Sequence, residues 1–157
     1  MGATNGNPFM GPVVVAVIVI LSLWMQIISR PDIYLALVSI PLGILLDSVL
    51  SSIGVFSYQS PLSVTWLSPP WMVALWVNFV IILRGPLGWM EKKYWLGAVF
   101  GALGGPLSYY AGLRLGGLTA LWSIKFFLGI VAMEWAVAMP VLLWFVRITR
   151  EMRPASA

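Results

Sequence analysis

Apolar residues are concentrated in five long stretches, separated by short segments that contain charges, prolines and serines. Each stretch is close to the roughly 20 residues that an α-helix needs to cross a bilayer. The pattern therefore predicts an all-α integral membrane bundle of five transmembrane helices, forming a single membrane domain over residues 1–157. The expected spans are about residues 11–29, 33–56, 71–90, 94–113 and 118–146.

The segments between these stretches contain strong helix breakers. Arg30-Pro31-Asp32 separates the first two spans, and Arg84-Gly85-Pro86 must kink or end the third. Residues 57–70 hold three prolines and no charge, which is typical of a loop at the membrane interface or one that dips into it. The first apolar stretch lacks the flanks of a cleaved signal peptide, so we expect it to be a retained span.

Composition supports a membrane protein and excludes several kinds of chemistry. Hydrophobic residues make up 61% of the chain and charged residues 9%, whereas soluble domains have about 25% charged residues. The chain has no His and no Cys, so it lacks the usual ligands of zinc, haem and iron–sulfur clusters, and we expect no metal and no cofactor. No basic tract is long enough for a nucleic-acid footprint. Membrane lipids are the expected partners, with a membrane-protein partner or a second copy as alternatives.

The distribution of basic residues predicts the orientation of the bundle. Outside the spans, one side would hold nearly all of them: Arg30, Lys92, Lys93, Arg147, Arg150 and Arg153. The other side would hold only Arg114. Because cytoplasmic loops are enriched in Lys and Arg, the N-terminus is expected outside and the C-terminus in the cytoplasm. Most tryptophans fall near the two interfaces, where they anchor helices, but Trp76 and Trp135 lie too deep for that role.

Four charged residues fall inside the predicted spans, where an unpaired charge costs on the order of 3 kcal/mol. Counting along the spans puts Asp47 roughly 13 Å and Lys125 roughly 10 Å from the outer side, so the two can meet. Arg84 and Glu134 fall at roughly 20 and 24 Å and would form an inner-layer ion pair. These pairs either hold helices together or belong to a functional site. The functional interpretation is a polar pocket or proton path lined by Asp47, Asn78, Lys125, and Tyr109 or Tyr110.

Glycines in the fourth span form a stripe that suits close helix packing. Gly97, Gly101 and Gly105 recur every four residues. Gly112 and Gly116 follow in near-helical register. The stripe indicates either a neighbouring helix at short distance or a groove that admits a lipid tail or an isoprenoid.

Four stretches of the chain resemble a bacterial inner-membrane family, domain-of-unknown-function family 2878. They are GILLDSVLSSIGVF at 43–56, PPWMVALWVNF at 69–79, GALGGPLSYYAGLRLGG at 101–117 and EWAVAMP at 134–140. The similarity extends over roughly residues 12–147. The resemblance implies a small multi-pass protein of unknown activity, in which the following residues match the family pattern: Asp47, Trp71, Trp76, Gly105, Pro106, Tyr109 and Gly112. Arg84 departs from the pattern, which has a neutral polar residue, usually Asn, near this position.

Three classes of function are compatible with this sequence. The first interpretation is an accessory, scaffold or lipid-binding component of a membrane complex, which needs only the packing stripe and satisfied buried charges. A membrane-embedded lipid-modifying enzyme is the alternative, with Asp47 and Lys125 as the only acid–base pair at suitable depth. A small transporter or proton-coupled permease is the third, although the chain has no convincing internal repeat.

Overall fold

A computed structural model describes residues 10–24, 30–59 and 68–151, and these residues are mostly helical. The described part contains five α-helices: α1 (Met10–Trp24), α2 (Arg30–Ser52), α3 (Pro70–Arg84), α4 (Tyr94–Arg114) and α5 (Ile124–Glu151). Two short strands, β1 (Phe56–Tyr58) and β2 (Leu118–Ala120), and one 3-10 turn over Gly88–Met90 complete it. The expected helical architecture is therefore present, with a small β-ladder that the sequence pattern did not predict.

Two of the described helices are long and apolar enough to cross a bilayer. These are the 20-residue segment Ile33–Ser52 of α2 and the 27-residue segment Ile124–Arg150 of α5. Helix α3 is apolar but has only 15 residues, because it ends where Arg84 is followed by Gly85 and Pro86. The lengths and composition of these helices indicate association with a membrane.

Helices α2 and α4 end in the same way and at the same end of the molecule. Gly54 and Gly116 have φ angles of 76° and 73°, which favour glycine because it lacks a Cβ. In both turns the residue after the glycine donates its amide to a carbonyl of the last helical turn: Val55 to Leu50, and Gly117 to Gly112. This arrangement satisfies the free carbonyls of each helix and leads the chain directly into a strand.

The two strands pair antiparallel and shift the helix boundaries from those predicted. Phe56 pairs with Ala120 and Tyr58 with Leu118, so the α2–α3 and α4–α5 connections lie side by side. Helix α2 ends at Ser52 and α5 begins at Ile124, whereas the apolar pattern predicted helix to 56 and from 118. Apolar strand residues buried beneath loops cannot be distinguished from helix by hydrophobicity alone.

At the opposite end of the described helices, Arg150 near the C-terminal end of α5 joins two segments of the chain. Its guanidinium contacts Glu91 at 2.8 Å and donates to the main-chain carbonyl of Arg84 at 3.0 Å. These contacts bring the α3–α4 connection against the end of α5. The partly exposed ion pair contributes little by itself, but the carbonyl bond gives the residue two anchoring points.

Helix α5 contacts α4 more extensively than any other described pair of helices. Added Cβ atoms at Gly97, Gly101 and Gly105 would collide with Leu143, with the main chain of Trp135 and with the Trp135 ring, respectively. These three glycines thus place the two backbones close together. Gly112 instead faces Leu118 of β2, and Gly116 forms the turn after α4 rather than extending the packing stripe.

On the other side of the molecule, α3 lies between α1 and α2, and α2 contacts α5. Helices α3 and α4 make little direct contact with each other. The space between them is the main feature of the candidate site.

Candidate functional site

Asp47 connects the two helices on either side of this space. It lies in α2, is fully buried, and accepts hydrogen bonds on both carboxylate oxygens. Trp76 of α3 donates its indole N–H to Oδ2 at 2.9 Å, and Tyr109 of α4 donates its hydroxyl to Oδ1. One carboxylate therefore fixes the positions of two large aromatic side chains on two different helices.

The local sequence explains how Trp76 reaches Asp47. Gly43 lies one turn before Asp47 in α2, and a Cβ at this position would overlap the Trp76 ring. The missing side chain gives the indole room to lie flat against α2 while its N–H points to the carboxylate. Tyr109 is held from the other side by Phe56 and Phe127, with ring centroids 5.7 and 6.3 Å away.

Trp76 and Tyr109 also line a cleft of about 240 Å³ between α3 and α4. Trp135 of α5 forms its base and Leu118 of β2 closes it at the ladder end. The remaining lining residues are Trp71, Met72, Leu75, Asn78, Phe79 and Ile82 of α3, and Ser108 and Gly112 of α4. In the part of the chain that the structure describes, the lining is mainly apolar and contains no charged side chain, which suits an uncharged lipophilic ligand.

Three aromatic rings form a rigid platform at the base of the cleft. Trp76 and Trp135 are stacked, with ring centroids 5.0 Å apart and planes 9° from parallel. Phe79 contacts Trp135 edge to face at 5.1 Å. These contacts fix the ring orientations and explain why two tryptophans lie too deep to serve as interfacial anchors.

The structure separates the members of the predicted polar pocket. Tyr109 reaches Asp47, whereas Tyr110, the next residue of α4, is exposed. Asn78 lines the cleft but is not a hydrogen-bond partner of Asp47. Lys125 is exposed and forms no ion pair with Asp47. Because α5 begins at Ile124, Lys125 lies in its first turn rather than at the depth counted from residue 118.

The predicted inner-layer pair of Arg84 and Glu134 does not form either. The Arg84 guanidinium donates to the hydroxyl of Thr149 at 3.1 Å. Thr149 lies about four turns beyond Glu134 along α5, roughly 22 Å at the usual rise per residue. Both carboxylate oxygens of Glu134 are buried and have no hydrogen-bond partner among the described residues. The pair was misplaced because the depth of Glu134 was counted from the strand rather than from the start of α5.

Tyr58 and Trp71 form the ladder end of the site. Their rings contact edge to face at 5.9 Å. Burial, with a smaller contribution from the charge of Asp47, raises the pKa of the Tyr58 hydroxyl far above its ordinary value, so the hydroxyl stays protonated. The indole N–H of Trp71 is buried without a hydrogen-bond acceptor in the described part of the chain.

Sequence reasoning did not identify Trp76 as the partner of Asp47, or Trp135 as the base of a cleft. The available signal was their depth, which excluded interfacial anchoring for both. A second signal for Trp76 was Gly43 in the preceding span, a residue small enough to accommodate an indole. Ser108, which lies between Gly105 and Gly112 in the fourth predicted span, also lines the cleft.

The chain belongs to the family described as "Protein of unknown function (DUF2878)", whose sequence profile matches residues 1–141. This confirms the family resemblance inferred from the sequence. No protein of curated function and no solved structure matches the chain significantly.

Proposed function

We propose that this member of the DUF2878 family is a multi-pass inner-membrane protein that binds a membrane lipid in the cleft between α3 and α4, as an accessory component of a membrane complex. The observation that carries the proposal is the cleft itself, which is lined mainly by aromatic and aliphatic side chains and, among the described residues, by none that is charged. At about 240 Å³ it is slightly smaller than the roughly 300–1,000 Å³ of a pocket for a whole small molecule. It would hold one part of a lipid, with the remainder in the bilayer.

The surroundings of the cleft support entry from the side. Leu75 and Ile82 line it and are also 52% and 37% exposed, so an apolar path connects the cleft to the outer surface of α3. In a bilayer this surface faces acyl chains, and a lipid can move along it without crossing a polar barrier. The proposed five-span arrangement, with the N-terminus outside, places Trp71 and the β-ladder toward the outer side.

Asp47 is proposed to position the walls rather than to react. Its carboxylate is fully buried and both oxygens already accept hydrogen bonds, one from each wall of the cleft. A catalytic acid or base must reach its substrate within hydrogen-bonding distance, and Lys125 is not close enough to assist. These contacts favour lipid binding over the lipid-modifying reaction considered from the sequence.

Photocrosslinking with an uncharged lipid, a diacylglycerol that carries a diazirine in its acyl chain, tests the proposal. The detergent-purified protein is incubated with trace photolipid, washed to exchange loosely held lipid for detergent, irradiated, and digested for mass spectrometry. We expect crosslinks on cleft residues such as Leu75 and Ile82, and few on Leu103 and Leu107, which are both 70% exposed on α4 and lie outside the cleft.

A substitution that fills the cleft supplies the control. Leu75→Trp adds a bulky ring to the cleft and should reduce crosslinking to Ile82 roughly fivefold, the effect of about 1 kcal/mol in binding. Leu107→Trp makes the same change at a lipid-facing site and should leave the crosslinks unchanged. Equal labelling of the cleft and of Leu103 in the wild-type protein would show that the cleft holds no lipid.

A further inference from the structure

Three polar groups in the cleft have no partner within the described protein. The indole N–H of Trp71 is buried without an acceptor. The amide of Asn78 and the hydroxyl of Ser108 also face the cleft, and neither forms a hydrogen bond with a described residue. By contrast, the polar atoms of Trp76 and Tyr109 are both bound to Asp47. Other buried polar atoms outside the cleft, including the carboxylate oxygens of Glu134, also lack partners in the described part of the chain. Trp71, Asn78 and Ser108 stand out because they line the same cleft.

These groups lie at two levels along the cleft. Trp71 and Asn78 are two turns apart on one face of α3, roughly 10 Å along its axis. Ser108 lies one turn before Gly112 on the antiparallel α4, and Gly112 faces Leu118 at the ladder end. This places Ser108 at a depth between those of Trp71 and Asn78. The cleft thus offers a donor near its ladder end and an amide and a hydroxyl deeper down.

Leaving such groups unpaired in hydrocarbon is unfavourable. An amide or hydroxyl without a hydrogen bond costs on the order of several kcal/mol in a medium with no hydrogen-bonding partners. Water can offset this cost only where the cavity is polar, and here the surrounding lining is mostly aromatic and aliphatic. This cost applies to the buried N–H of Trp71, while Asn78 is half-buried and Ser108 is exposed at the cleft. Together the three groups indicate a ligand that carries its own hydrogen-bonding atoms into the cleft.

The chemistry of the lining narrows the class of ligand. Trp71 can only donate, so the ligand must present an acceptor near the ladder end. The Asn78 amide and the Ser108 hydroxyl can donate or accept, so a second acceptor deeper in the cleft would satisfy both. None of the described residues that line the cleft is charged, so none would compensate a phosphate or carboxylate. The stacked Trp76 and Trp135 rings and the edge of Phe79 provide flat surfaces that suit a planar group.

We infer that the ligand is a lipid whose head is a flat, uncharged ring with carbonyl groups on opposite sides, the chemistry of a lipophilic quinone. Trp71 donates to one carbonyl, and Asn78 and Ser108 donate to the other. The tail leaves the cleft beside Leu75 and Ile82. This inference rests on the proposed lipid-binding function and specifies its ligand.

Thermal unfolding in detergent, followed by circular dichroism, tests the inference with three probes of equal tail length. Decyl-benzoquinone has the ring and both carbonyls, decylbenzene has the ring alone, and methyl undecanoate has a carbonyl without a ring. A ligand that binds only the folded protein raises the unfolding temperature as its concentration exceeds the dissociation constant. We expect decyl-benzoquinone to raise it at the lowest concentration of the three.

Two substitutions separate ligand recognition from folding. Asn78→Leu and Ser108→Ala remove groups that bond no described residue, so the empty protein should unfold at an unchanged or slightly higher temperature. The dissociation constant for decyl-benzoquinone should rise roughly three- to tenfold for each lost hydrogen bond, while that for decylbenzene stays constant. Asn78→Gln keeps the amide and should retain part of the affinity. Ser52→Ala, on an exposed serine outside the cleft, is the matched control.

The possible failures are distinguishable. Equal stabilisation by all three probes would overturn the quinone-like head and leave the lipid-binding proposal intact, because any decyl chain would then suffice. An effect of decyl-benzoquinone that Asn78→Leu and Ser108→Ala do not weaken would also overturn it. Absence of photolipid crosslinks from the cleft would instead refute the underlying function.

Discussion

Replacing Asp47 distinguishes a positioning role from the ion pair that the sequence suggested. In Asp47→Leu, the indole N–H of Trp76 and the hydroxyl of Tyr109 lose their acceptor while remaining buried. Each unsatisfied donor costs about 1–3 kcal/mol, so the free energy of unfolding should fall by about 2–6 kcal/mol.

Asp47→Asn should be much less damaging, because the amide can still satisfy both neighbours. Its oxygen can accept from Trp76, whose N–H only donates. Its NH₂ group can donate to the Tyr109 hydroxyl, which rotates to become the acceptor. The charge-assisted bonds become neutral ones, and the loss is partly offset because a buried charge no longer has to be desolvated. We expect a change of about 0–2 kcal/mol.

Lys125 provides the matched test of the ion-pair hypothesis. It is exposed at the start of α5 and does not contact Asp47, so Lys125→Met should change stability by no more than about 0.5 kcal/mol. Combined with Asp47→Leu or Asp47→Asn, its effect should simply add. If Lys125 were instead buried beside Asp47, the Asp47 variants would leave its charge unpaired. Adding Lys125→Met would then recover stability.

The measurement is a denaturant titration in mixed micelles, in which sodium dodecyl sulfate replaces a mild detergent and helix content is followed by circular dichroism. Wild type, the two Asp47 variants, Lys125→Met and the two double variants are compared under one set of conditions. Equal destabilisation by Asp47→Asn and Asp47→Leu would refute the hydrogen-bonding argument. Recovery of stability on adding Lys125→Met would support the ion-pair hypothesis instead.

Two further predictions concern packing and orientation. Gly101→Leu should destabilise the fold by at least the roughly 1–3 kcal/mol typical of overpacking, because the new side chain would meet the main chain of Trp135. Val99→Leu, at an exposed position of α4, should not change stability in the same titration. Reporter fusions after Lys92 should report the cytoplasm, and fusions after Gly116 should report the outside. The Arg150 contacts and the β-ladder place the α3–α4 and α4–α5 connections at opposite ends of the molecule. The same side for both fusions would contradict the proposed orientation.

The helical content and the burial of Asp47 could be predicted because a hydrocarbon environment offers the polar backbone and a carboxylate no hydrogen-bonding partners. Long apolar stretches have few stable alternatives to helix, and a carboxylate within one must be buried and satisfied. The close approach of α4 to another helix could also be predicted, from the spacing of Gly97, Gly101 and Gly105. Three residues without bulky side chains on one helix face let a second backbone come near. These inferences depend on local sequence alone.

The partner of Asp47 could not be predicted by counting residues. Depth was measured from the ends of apolar stretches, but the last residues of one stretch and the first of another form β1 and β2. The resulting error of about six residues at the start of α5 is roughly 9 Å, enough to bring Lys125 to the wrong level. Strand pairing between distant loops is a tertiary property, and no local pattern marks it.

Asp47 and the polar groups of the cleft differ in their hydrogen bonding, and this difference separates a role in folding from a role in binding. Asp47 lies deep among helices and has a partner on each oxygen, as expected of a group that maintains the fold. Trp71, Asn78 and Ser108 lack such partners, and all three line the same cleft. Buried polar atoms elsewhere, such as those of Ser39 and Glu134, also lack partners among the described residues. What distinguishes Trp71, Asn78 and Ser108 is that they line one apolar space whose walls Asp47 positions, an arrangement that suits a bound polar-headed lipid.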